Sequence, residues 1–213
     1  GPGISIKLSA LHPRYSRAQY DRVMDELYPR LKSLTLLARQ YDIGINIDEN
    51  NIMITTGGSE AITIAFMSTL NPGDEIIIPE PFYANYTAFA LMCGVKVKTV
   101  TSSIENNFAL PPISEIEKVI TPRTKGIVIV NPNNPTGYLY SKEELEQLAV
   151  IVKKHDLYLY ADEVYREFCY DGYKHFSTMQ LAGIEQNVIL LDSVSKRYSE
   201  CGLRVGALLF IQR

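Results

Sequence analysis

From Asn51 onward, short apolar segments alternate with amphipathic ones, and this alternation limits the chain more than any other feature. It is the pattern of a mainly parallel sheet with helices on both faces. Strands are expected at 52–55, 75–79, 96–100, 126–130, 158–161, 188–193 and 205–210. Helices are expected at 59–70, 83–93, 142–155 and 178–182. Asn71-Pro72-Gly73 stops the first helix, and Ser141 with Glu144 forms an S-x-x-E capping box that opens the third. The expected fold class is therefore α/β, a three-layer α/β/α arrangement around a mainly parallel sheet of about seven strands. In front of it, residues 4–48 read as a strand (4–8), a long helix (17–40) and a short strand (43–47). Ser16 and Gln19 cap the helix, Tyr20, Val23, Leu27, Leu31 and Leu34 recur on one face, and Pro29 should bend it. The expected division is a 1–48 segment and a 49–213 domain, with Gly1-Pro2-Gly3 set aside as a tag remnant.

Charge narrows the partners. A formal net charge of -3 with 21% charged residues gives no basic face for nucleic acid or anionic lipid. No apolar run is long enough to span a bilayer and no secretory signal opens the chain, so the cytoplasm is the expected setting. The three cysteines and three histidines are scattered without a CxxC pair, which argues against a disulfide framework and a metal site.

Four motifs fall at expected strand ends. Ser193-Val194-Ser195-Lys196, followed by Gly202-Leu203-Arg204-Val205-Gly206, puts an amine at the sheet's carboxyl edge. A partly desolvated lysine there can attack a carbonyl carbon, although a solvated lysine just past a strand is the plainer reading. Asp162-Glu163-Val164-Tyr165 puts a carboxylate at the same edge. An anionic Asp can hold a pyridine nitrogen protonated, and equally it can be a turn residue. Asn131-Pro132-Asn133-Asn134-Pro135-Thr136-Gly137 reads as a turn in which the Asn134 amide could also donate to a ring oxygen. Thr56-Gly57-Gly58-Ser59 is a glycine turn running into a helix, the arrangement that suits an anion. Nucleotide binding there would need G-x-G-x-x-G spacing, which the sequence lacks.

Taken in order, together with Pro79-Glu80-Pro81-Phe82-Tyr83, these motifs resemble the large domain of class I/II (fold-type I) aminotransferases from about Asn51 to Arg213. The resemblance implies pyridoxal 5'-phosphate as cofactor, with a Schiff base on Lys196. Asp162 would pair with the pyridinium, and Asn134 and Tyr165 would hold the phenolate oxygen. Tyr83 would stack on the ring. Gly58, Ser59, Ser193, Ser195 and Arg204 would hold the phosphate. Lys196, Asp162 and Tyr165 are the implied catalytic residues, and an amino acid or 2-oxo acid is the implied substrate. A homodimer is the assembly the family suggests.

Family members are longer than this chain, and the region after the last strand normally supplies the arginine that clamps the substrate carboxylate. Weak or absent transamination is therefore the expectation. Residues 4–48, from Ile4-Ser5-Ile6-Lys7-Leu8 through His12-Pro13-Arg14-Tyr15, resemble instead the proline dehydrogenase barrel of bacterial bifunctional proline-utilisation proteins. Lys7 matches a flavin-site lysine there, but the other barrel strands are missing, so flavin binding is not expected. Two families meeting near 47–51 imply an engineered chimera, and a chimera without catalytic function is the rival expectation.

Overall fold

The computed structural model describes residues 47–211, together with residues 18, 25 and 28–33. Its centre is a sheet of seven strands: β1 (Ile52–Thr55), β2 (Glu75–Glu80), β3 (Lys96–Thr101), β4 (Thr124–Val130), β5 (Tyr158–Asp162), β6 (Val188–Ser193) and β7 (Gly206–Phe210). The spatial order is β1-β7-β6-β5-β4-β2-β3. The pairs from β3 across to β6 are parallel, and β7 runs antiparallel to both β6 and β1. The expected α/β class and the mostly parallel sheet are both present.

Helices α1 (Gly58–Thr69), α2 (Asn85–Met92), α3 (Ile113–Lys118), α4 (Lys142–Lys154) and α5 (Val194–Arg197) fill the connections. Side chains alternate across the sheet with period two, and the core divides accordingly. Ile76, Ile78, Val128, Val130 and Leu191 pack on one face with Ala61 and Phe66 of α1 and Tyr86 of α2. Ile77, Ile127, Ile129, Leu159 and Leu190 pack on the other with Leu145, Leu148 and Val152 of α4. Burial on both faces is why the central strands read as unbroken apolar runs.

Boundaries fall within a residue or two of expectation, with three exceptions. The segment expected as helix 178–182 is a single 3-10 turn, Thr178–Gln180. α3, six residues behind Pro111-Pro112, and α5, a single turn, were not anticipated. Strand 4–8 and most of helix 17–40 lie outside the described residues. Residues 28–33 are helical, with Pro29 among them and Leu31 half-buried. The Tyr28 hydroxyl accepts from the Ile54 amide of β1 at 3.3 Å, and Lys32 Nζ donates to the Glu49 carbonyl at 3.0 Å. Ile47, the last residue of expected strand 43–47, is buried but lies outside any strand. No helix among the described residues is long and apolar enough to cross a membrane.

Candidate active site

Because β1 runs antiparallel to β7 and β7 antiparallel to β6, β1 points the same way as the parallel strands. Thr55 and Ser193 both pair with Gly206, and Val130 pairs with Asp162. The carboxyl ends of β1, β4, β5 and β6 therefore share one rim, around a cavity of about 340 Å³. All ten residues singled out in the sequence line it: Gly58 and Ser59 at the start of α1, Tyr83 just before α2, Asn134 after β4, Asp162 and Tyr165 at and after the end of β5, and Ser193, Ser195, Lys196 and Arg204 from the last strand-turn-strand unit.

One end of the cavity is built for an anion. Gly57, at φ 78°, is the N-cap of α1 and offers no side-chain cap. The first-turn amides of Gly58 and Ser59 have no intrahelical acceptor and stay available. A Cβ on Gly57 would sit 2.0 Å from Nη2 of Arg204, and one on Gly206 would sit 2.5 Å from the Gly57 carbonyl carbon. Only glycine lets the turn, β7 and the guanidinium pack this closely. Arg204 is fixed by its Nη1 donating to the Cys201 carbonyl at 3.0 Å and lies 3.5 Å from Ser195 Oγ. Ser193 Oγ caps α5 by accepting from the Ser195 amide at 3.1 Å, and its proton has acceptors in Ser195 Oγ at 2.8 Å and the Val205 carbonyl at 3.0 Å. Two amides, two hydroxyls and a guanidinium are the donor set a phosphate monoester requires.

The other end holds Asp162, the last residue of β5. The Val164 amide donates to its Oδ1 at 3.1 Å and the Tyr86 hydroxyl to its Oδ2 at 2.5 Å. Burial pushes its pKa up to about 6, and the Asp192 and Glu163 carboxylates push the same way against those two hydrogen bonds. Asp192 is itself held by Nη2 of Arg197 at 3.1 Å, with Nη1 of Arg166 at 3.7 Å. Lys196 Nζ lies 5.8 Å from the Tyr165 ring centroid. Of the asparagines in the turn after β4, Asn131 Oδ1 accepts from the Tyr140 amide at 3.0 Å and Asn133 Oδ1 from the Thr136 hydroxyl at 2.9 Å. Both serve the turn itself, while Asn134 lines the cavity. The half-exposed Tyr83 stands edge-on to Tyr86, with ring centroids 6.1 Å apart. An amine, a carboxylate, an amide and a phosphate cradle around one cavity fit a phosphorylated pyridine aldehyde.

Sequence reading missed Tyr86, the closest partner of Asp162. Its spacing of three from Tyr83 within the helix expected at 83–93 was the available signal, although the helix itself starts at Asn85. Phe89 and Cys201 line the cavity as well.

The family model for class I and II aminotransferases matches residues 25–213. The chain belongs to this family. Aromatic-amino-acid aminotransferase 2 of Thermococcus litoralis is 37% identical over 166 residues, covering 78% of this chain and 42% of that protein. The aspartate/prephenate aminotransferase of Thermus thermophilus is 33% identical over 178 residues, covering 84% of this chain and 45% of that protein. Among solved structures, a single mutant of Thermus thermophilus aspartate aminotransferase superposes with a TM-score of 0.81 at 33% identity, over 85% of this chain and 47% of its own. The aromatic aminotransferase of Pyrococcus horikoshii OT3 gives 0.82 at 31% identity, over 85% and 49%. The chain thus spans less than half the length of the aminotransferases it matches. Members of the family use pyridoxal 5'-phosphate, act on amino acids and 2-oxo acids and typically pair as dimers. The match begins at residue 25, inside the 4–48 segment, and the comparisons lend no support to a proline dehydrogenase piece or a fusion.

Proposed function

We propose that this aminotransferase-family chain binds pyridoxal 5'-phosphate in the rim cavity, with Lys196 as its point of attachment, and transaminates amino acids weakly or not at all. The observation that carries the reading is the convergence of all ten expected residues on one cavity. The amides of Gly58 and Ser59, the hydroxyls of Ser193 and Ser195 and the Arg204 guanidinium would hold the phosphate. The Asp162 carboxylate would accept from the ring nitrogen, Asn134 and Tyr165 would donate to the ring's phenolate oxygen, and Tyr83 would cover a ring face. When bound, the cofactor supplies an electron sink for charge developing on the substrate's α-carbon. The Lys196 amine would hold and move the proton at that carbon.

Turnover is limited by orientation. Arg204 is the one guanidinium among the described residues lining the cavity, and it belongs to the phosphate end. Among the described residues no second guanidinium lines the cavity to clamp a substrate carboxylate, and correct orientation is worth roughly 7 to 11 kcal/mol of barrier. The two relatives described above are named for different amino acids, so the proposal extends to amino acids as a class. A cytoplasmic setting and a homodimer belong to the same reading. An engineered chimera with inert cofactor residues is the competing account, resting on the sequence of residues 4–48 alone.

Absorption spectroscopy with added pyridoxal phosphate separates the two. The unmodified chain should develop a new long-wavelength band, and borohydride should fix the label on the peptide carrying Lys196. Lys196→Ala should do neither. Identical spectra for the two proteins would overturn the reading.

A further inference from the structure

Tyr86 makes a shorter contact to Asp162 than any other donor at the site, and its surroundings leave the hydroxyl little choice. The phenol lies on α2, 1% exposed. Tyr83 and Phe89 pack edge-on against its ring, at 6.1 Å and 6.2 Å between centroids. With the ring held on both sides, the hydroxyl meets Oδ2 of Asp162 at 2.5 Å while the Val164 amide holds Oδ1 at 3.1 Å. One donor on each oxygen gives the carboxylate a single orientation and leaves its remaining lone pairs to the cavity.

The charges around Asp162 oppose its ionisation. Asp192 approaches from β6 and Glu163 follows it in the chain, and both favour the neutral acid, as does burial. Tyr83, Tyr165 and Lys196 face the same cavity, and Arg197 and Arg166 compensate Asp192 rather than Asp162. Among the described residues Tyr86 is the side chain that donates to Asp162. Burial and the Asp162 charge raise its own pKa well above the usual tyrosine range, so it stays a donor at every working pH.

We propose that Tyr86 is a positioning residue for the cofactor, fixing both the orientation and the ionised state of Asp162 so that the carboxylate meets the ring nitrogen as an anion. This rests on the cofactor reading above. The test is Tyr86→Phe, which keeps the ring packing and removes the donor. In the chain without cofactor, the Asp162 carboxyl midpoint, followed by carbon NMR and assigned with Asp162→Asn, should rise by roughly one to two pH units, the equivalent of a hydrogen bond to a charged group. The dissociation constant for pyridoxal phosphate, measured from about pH 5 to about pH 9, should be several-fold weaker near neutrality and return toward the unmodified value at the alkaline end. An unmoved Asp162 midpoint, or an affinity loss equal at every pH, would overturn the proposal. Failure of the unmodified chain to bind would instead sink the cofactor reading itself.

Discussion

Asp162 shows how a functional residue and a stable one can be at odds. Its folded pKa of about 6 lies above the unfolded value of roughly 4. Between those pH values the folded chain keeps a proton that the unfolded chain has released. Stability therefore falls as pH climbs from about 4 to about 6 and stays reduced above that. The gap corresponds to at most about 3 kcal/mol, and because Asp162 opens onto the cavity, solvent trims it to on the order of 2 kcal/mol. Asp162→Asn should accordingly stabilise the fold by about that much at pH 7 and by close to nothing at pH 4, measured by urea unfolding at both. A variant no more stable than its parent at pH 7 would mean the carboxylate carries no such penalty. Lys196, Asp162 and Asn134 are each ordinary residues at a strand end, and they were legible because their motifs fall in one order at successive expected strand ends. Tyr86 was hidden because a tyrosine on an apolar helical face looks like any core aromatic until its hydroxyl's partner is known.

Elements were readable where local chemistry and tertiary demand agree. α4 is the clearest case: the Ser141 side chain accepts from the Glu144 amide at 3.1 Å, and the Glu144 carboxylate in turn accepts from the Ser141 amide at 2.7 Å. Glu144 also accepts from the Leu110 amide and the Tyr138 hydroxyl, so the cap anchors two neighbouring loops. Ser141→Ala should cost about 1 kcal/mol in chemical denaturation, and no loss would show that those other partners hold Glu144 in place without the cap. α3 escaped notice because Pro111-Pro112 reads as a stop when Pro112 is in fact its N-cap. α5 escaped because one helical turn is too short to show a period.

At the scale of the whole molecule, the sheet's composition was legible but its spatial order was not. Apolar runs announce buried strands without naming their neighbours. The reversal of β7 had a readable cause, since the link from Ser193 to Gly206 contains only short helical turns, whereas a parallel return usually carries a full helix across the sheet. Among the described residues the order also leaves two borders, β1 and β3. At β1 the Ile54 amide is covered by the Tyr28 hydroxyl, so Tyr28→Phe should speed hydrogen exchange at that amide by roughly tenfold, the worth of one such bond. Unchanged exchange would mean the 28–33 helix does not protect the strand. β3 is defended differently, by an outward Lys96 and by exposed Thr99 and Thr101. A ribbon of copies joined strand to strand would have to displace a phenol at one margin and bury an ammonium at the other, and so this sheet discourages its own polymerisation from both sides.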